Sequence, residues 1–213
     1  MEKQICALFD MDGVMLDTEP QYDTFWKHIG DKYNVGVENF EKVIKGNTLS
    51  GILKKYFSQQ PQSEIDSIIA DLDEFELNMF FEEIPRSVRF VQDLKDNGIK
   101  VGLVTSSSDT KLIGVNREKQ FNELFDTVVS ASRVKKGKPD PECFLLAAKD
   151  LKVDPKICVV FEDSFAGIEA ATQAGMPVVG LATTHNAESL SQKCIKVIPD
   201  FSGFSVEDFL NLK

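Results

Sequence analysis

From residue 86 onward the chain alternates short, continuous apolar runs with amphipathic helical stretches, and few architectures satisfy such a pattern. The apolar runs fall at 100–105, 127–130, 157–161 and 177–181 and predict strands. Between them, residues 87–97 place Val88, Val91 and Leu94 on one stripe and stop at Gly98. Residues 140–151 carry Pro141 in a first-turn position, and residues 164–174 end at Gly175. Strands apolar throughout are buried on both faces, and helices between them supply the crossovers of parallel pairing. The pattern predicts an α/β fold with a Rossmann-like parallel sheet.

Residues 5–9 read as one more strand of this kind, but the sequel differs. From about residue 18 to 83 only helical patterns appear, at 22–33, 38–44, 49–57 and 63–81. The last opens with Ser63 and Asp66 at capping-box spacing. The expected organisation is an all-helical block at 16–85 inserted into a core of residues 1–15 and 86–213. Trp26, Phe57, Phe75, Phe80 and Phe81 are expected to form the core of that block.

Acidic residues number 34 against 24 basic ones, a net charge of -10. Such a field repels nucleic acid and anionic membranes, and neither is expected as a partner. It also repels phosphate esters, so a site for one must supply its own cations. The first apolar run is too short for a signal peptide and ends in two acids. No run approaches the ~20 apolar residues of a membrane-spanning helix. Cys6, Cys143, Cys158 and Cys194 form no CxxC pair and read as small buried hydrophobes. A reduced, cytoplasmic, monomeric protein is expected. His28 and His185 stand in dissimilar contexts, and neither is expected to be catalytic.

The chemistry is expected at strand ends. In Asp10-Met-Asp12-Gly13 two acids stand two apart beyond an apolar strand, where period two directs both to one side. Parallel sheets bind ligands beyond the carboxyl ends of their strands. Thr105 closes a second strand, Lys138 follows a third, and Glu162-Asp163 closes a fourth. A hydroxyl, an ammonium and carboxylates therefore meet on one edge.

These residues lie in stretches that resemble the four motifs of the haloacid dehalogenase-like superfamily, in the right order. The stretches are Phe9-Asp-Met-Asp-Gly-Val-Met-Leu-Asp-Thr-Glu-Pro20, Thr105-Ser-Ser-Ser108, Gly137-Lys-Pro-Asp-Pro141 and Phe161-Glu-Asp-Ser-Phe-Ala-Gly-Ile-Glu-Ala170. The similarity spans about residues 4 to 198 and points to the subgroup holding β-phosphoglucomutase and sugar-phosphate phosphatases, which carries a helical cap after the first motif. The resemblance implies that Asp10 attacks phosphorus and forms an aspartyl phosphate. It implies Mg²⁺ held by the Asp10 carboxylate, the Asp12 backbone carbonyl and Asp163, with Glu162 bound directly or through water. Lys138 would touch both Asp10 and the phosphoryl group, Thr105 would bond a phosphoryl oxygen, and Asp12 would be the general acid and base. Ser106, Ser107 and the loop Gly46-Asn47-Thr48 would meet the substrate, a small phosphorylated metabolite; Thr48 reads equally well as a plain helix cap.

Asp12 favours ester chemistry over dehalogenation, because a halide leaves without a proton. It leaves phosphatase and β-phosphoglucomutase-type isomerase both open. The mutases place a cap and a core cation around a second phosphate; here those two positions read Leu49 and Ser108, and the carboxylate of Asp109 is added beside them, which favours the phosphatase. Lys45, Lys54 and Lys55 stand near enough in sequence to restore a cation, and Asp109 could instead cap a helix starting at Thr110. A phosphorylated receiver module would be shorter, lack the insert and lack the second acid.

Overall fold

A computed structural model of the chain describes residues 6–45 and 48–212. Among these residues six parallel strands form one sheet in the order β3-β2-β1-β4-β5-β6. They are β1 (Cys6–Phe9), β2 (Lys100–Val104), β3 (Thr127–Val129), β4 (Cys158–Glu162), β5 (Val178–Leu181) and β6 (Lys196–Ile198). The pleat sends alternate side chains of β1 to opposite faces. Ala7 and Phe9 join a layer with Phe90, Phe161 and Phe201, while Cys6 and Leu8 join one with Phe144 and Val160. Across the β1–β4 pair the rings of Phe9 and Phe161 stack with centroids 4.6 Å apart. Burial on both faces is why these strands read as unbroken apolar runs.

Four strands begin or end within a residue of their predicted limits, and Ile5, the expected start of β1, lies outside the described residues. β6 is an addition. It is three residues long, lies at the sheet edge and opens with an exposed lysine, so no apolar run marks it.

The segment after β1 holds α1 (Glu19–Lys32), α2 (Phe40–Val43), α3 (Leu49–Tyr56) and α4 (Gln62–Leu77). Trp26, Ile29, Phe40, Ile52, Phe57 and Ile68 are among the residues that give this helical insert a core of its own. Two details differ from expectation. Pro61 is the N-cap of α4 and no side chain caps it, so Ser63 and Asp66 make no capping box. The helix also stops at Leu77: Gln21 takes over the backbone of Phe80 through bonds of 2.7 and 3.0 Å, leaving that ring 80% exposed. Phe81 turns into the core of the sheet instead of the insert.

The chain leaves and re-enters the sheet domain through one doorway. Asp17 donates its N–H to Glu82 O at 2.8 Å, Ile84 donates to Met15 O at 3.0 Å, and Leu16 and Glu83 form an antiparallel bridge. Met15, Leu16 and Ile84 are buried, and Ser87 Oγ adds a bond of 2.9 Å to Met15 O.

The remaining helices are α5 (Ser87–Asp96), α6 (Asp109–Lys119), α7 (Phe121–Leu124), α8 (Glu142–Leu151), α9 (Phe165–Gln173), α10 (Ala187–Ser191) and α11 (Val206–Leu210). α5 ends against Gly98 in the left-handed region, as its stop signal predicts. α6 carries a broken apolar stripe, with Ile113 exposed. Ser108, not Asp109, is its N-cap, accepting from Lys111 N at 3.2 Å. Among the described residues no helix is long and apolar enough to cross a membrane.

Candidate active site

The strand order reverses at β1, with β2 on one side and β4 on the other, and this switch point opens a crevice at the carboxyl ends. Asp10 follows β1 and keeps its register by donating its N–H to Phe161 O at 3.0 Å. Lys138, from the turn after β3, reaches across β2. Its Nζ donates to Asp10 Oδ1 at 2.7 Å, Glu162 Oε1 at 2.6 Å and Val104 O at 3.2 Å. Burial opposes the charged form of Lys138, but Asp10 and Glu162 outweigh it and hold the ammonium above the usual lysine range.

Glu162 is wholly buried and fully engaged. Its other oxygen accepts from Asp163 N (2.9 Å), Ser164 N (2.8 Å) and Ser164 Oγ (2.9 Å). Asp163 accepts a short bond from the Thr184 hydroxyl. Two glycines make room for these acids. A Cβ on Gly167 would lie 1.6 Å from Glu162 Oε1, and one on Gly13, at φ +74°, would lie 2.1 Å from Asp163 Oδ2.

Oxygens of Asp10, Glu162 and Asp163 lie within 4.8 Å of one another. Two of these three buried carboxylates, Asp10 and Glu162, share the ammonium of Lys138, while Asp163 is bonded by the Thr184 hydroxyl. Burial, then the charges of its neighbours, raises Asp163 well above the usual carboxylate range, and burial together with Glu162 and Asp12 raises Asp10 against the pull of Lys138. A hard-oxygen set with surplus negative charge fits a divalent cation such as Mg²⁺.

A second cluster surrounds Asp12. Its Oδ1 accepts short bonds from Lys111 Nζ and Thr18 Oγ1, and its Oδ2 accepts from Ser107 Oγ at 2.7 Å. Burial would raise this carboxylate, but the charge and bond of Lys111, with the hydroxyls of Thr18 and Ser107, outweigh it and lower it. The Lys111 side chain is fully buried, its Nζ 4.5 Å from the centre of the Tyr22 ring. Tyr22 Oη donates to Glu76 Oε1 at 2.7 Å, and Ser108 Oγ donates to Glu76 Oε2 at 2.6 Å.

Of the residues singled out in the sequence, Asp10, Asp12, Thr105, Lys138, Glu162 and Asp163 all come to this edge. Thr105 is buried and its Oγ1 accepts from Ser107 N at 3.0 Å. Ser107 touches Asp12, and Ser106 is exposed beside it. Thr48 caps α3 by accepting from Gly51 N at 3.2 Å, and its methyl lies 3.5 Å from where a Cβ on Gly137 would stand. The helix-cap reading of Thr48 is met, and Gly46 and Asn47 lie outside the described residues. Asp109 does not cap α6, because Ser108 does; the hydroxyls of Ser130 and Ser132, just beyond β3, hold its exposed carboxylate below the usual range. Lys45 is tied to Glu19 and Asp23 at 2.9 Å each. His185 stacks on Phe165 with centroids 4.2 Å apart, and burial, then Lys45, lowers it.

Lys111, Thr18, Thr184 and Glu76 were not anticipated. For Lys111 the available signal was its place one turn beyond the Thr105 motif; for Glu76, an acid on the apolar side of α4.

A family model described as haloacid dehalogenase-like hydrolase matches residues 6–175. The phosphorylated carbohydrates phosphatase of Thermotoga maritima is 32% identical over 175 residues, covering 80% of this chain and 81% of that protein. The β-phosphoglucomutase of Bacillus subtilis is 32% identical over 187 residues, covering 82% of each. Among solved structures, a β-phosphoglucomutase from Clostridium difficile superposes with a TM-score of 0.81 at 27% identity, covering 96% of this chain and 95% of that one.

Proposed function

The chain belongs to the haloacid dehalogenase-like hydrolases, and from that premise we propose that it is a Mg²⁺-dependent phosphatase of a small sugar or polyol phosphate. The observation that carries the reading is the meeting of Asp10, Lys138, Glu162 and Asp163 at one switch point. An Asp10 oxygen attacks phosphorus as the bond to the ester oxygen breaks, leaving an aspartyl phosphate. The ester oxygen takes the electron pair of that bond and a proton from Asp12, which takes that proton up from solvent before the step. A water oxygen then attacks phosphorus, its proton passes to Asp12, and the second electron pair returns to Asp10 as inorganic phosphate departs. Lys138 lies against Asp10 and the phosphoryl oxygens, and Thr105 donates its hydroxyl to one of them. The Asp10 and Asp163 carboxylates and the Asp12 carbonyl would hold the cation, with Glu162 bonded directly or through water. When bound, Mg²⁺ offsets the repulsion between an anionic nucleophile and a dianionic ester. Residues 16–85 act as a cap that closes over the crevice and hinges at its two linkers.

Relatives of similar identity are named for both phosphatase and mutase activity. One observation favours the phosphatase. A mutase of the β-phosphoglucomutase type must seat a second phosphate, and where that family carries a core lysine this chain has Ser108, bonded to buried Glu76. A buried carboxylate opposes a second dianion at that place. Lys45 and Lys111 are already paired with acids.

Release of phosphate from sugar and polyol monophosphates, abolished by EDTA and restored by Mg²⁺, tests the reading. With β-glucose 1-phosphate and a trace of the 1,6-bisphosphate, free phosphate should form faster than glucose 6-phosphate; the reverse order refutes the phosphatase.

A further inference from the structure

We propose that Lys111 is a positioning residue that sets which oxygen of Asp12 meets the leaving group, and that it does so only when the helical insert is closed. The proposal rests on the phosphatase reading above. Lys111 lies in the first turn of α6, where a cation faces the positive end of the helix dipole, and its side chain is fully buried. Neither placement favours the helix, so the partner it gains must account for both. That partner is Asp12 Oδ1. With Lys111 and Thr18 both donating to it, Oδ1 has its two lone-pair directions filled. Oδ2 takes Ser107 alone among the described donors and keeps one direction open. The ester oxygen therefore meets Asp12 at Oδ2, sharing it with Ser107.

What holds Lys111 in place comes from the insert. Tyr22, on α1, lays its ring over the ammonium, and Glu76, on α4, bonds both Tyr22 Oη and Ser108 Oγ. Asp12, Ser107, Ser108 and Lys111 belong to the sheet side. When the insert moves away, the ammonium loses its aromatic cover and Ser108 loses its carboxylate. The proton donor is then no longer clamped, so water reaching an open site meets a poorly aimed acid.

The separation of proton donation from nucleophilic attack supplies the test. An alkoxide needs a proton to leave, whereas p-nitrophenolate does not. Because kcat/KM reports steps only through loss of the leaving group, the ratio of kcat/KM for glycerol 1-phosphate to that for p-nitrophenyl phosphate isolates proton delivery. Lys111→Met should lower this ratio by at least about tenfold, within the range expected of general acid catalysis. Tyr22→Leu should lower it in the same direction and Tyr22→Phe, which keeps the ring, should lower it less. Equal losses on both esters in Lys111→Met, in protein that melts as the wild type does, overturn the proposal. If Lys111→Met does not fold, an unchanged ratio in Tyr22→Leu overturns it. Wild-type protein that hydrolyses neither ester refutes the phosphatase reading itself, a result distinct from either.

Discussion

Asp10 gathers into one carboxylate the influence of a strand end, a cross-sheet ammonium and two neighbouring acids. Replacing it by Asn keeps the shape and a bond to Lys138, so Asp10→Asn should fold and melt near the wild-type temperature. Its turnover should fall on the order of a thousandfold or more, because the amide is a poor nucleophile; phosphate release within about tenfold of wild type would sink the assignment. Asp10, Asp12, Thr105, Glu162 and Asp163 are legible in the sequence because each stands at or just after a strand end, and a parallel sheet collects such ends; Lys138, farther beyond β3, is legible only through the Gly137-Lys-Pro-Asp-Pro141 stretch. Lys111 was not, because its meaning depends on an Asp12 oxygen 99 positions away in sequence and on the Tyr22 ring above it. Asp109 stays open in the sequence for the same reason in reverse: the hydroxyls that bond it come from the end of another strand.

Among elements, the tightest seat is that of α9 against the end of β4. Glu162 fills the space a Cβ would need at Gly167, while Ser164 caps the helix by accepting from Gly167 N at 3.1 Å. Gly167→Ala should push Glu162 off Lys138 and cost about 1–3 kcal/mol, the range for overpacking a filled site. Urea unfolding measures the loss, and an unchanged midpoint would mean that Glu162 has another place to go. The strands of the sheet were readable because burial on both faces makes them apolar throughout. β6 and the end of α4 were not: an edge strand needs no such run, and Gln21 ends α4 from another helix. The broken stripe of α6 reflects that it packs between sheet and insert, with Phe81 at 3.3 Å from the Cβ position of Gly114.

At the scale of the molecule, the insert meets the sheet domain at Thr48 and Gly137 as well as at Glu76 and Ser108. Cysteines at 48 and 137 lie close enough to join. The oxidised Thr48→Cys/Gly137→Cys protein should lose turnover by about tenfold or more, since product release needs opening, and regain it on reduction. Equal turnover of the oxidised and reduced forms would remove closure from the mechanism. The doorway formed by Asp17, Glu82, Met15 and Ile84 bears on how such a protein diversifies. Because the outgoing and returning strands are hydrogen-bonded to each other, the sheet meets everything between them as a loop whose ends are already joined. Loop length enters closure entropy only logarithmically, so the host is nearly indifferent to what the loop contains. A foreign helical block, or a tight turn in place of residues 19–81, need only match that two-strand doorway to leave the nucleophile where it is. Selectivity then becomes a cassette, exchangeable without refounding the chemistry beneath it.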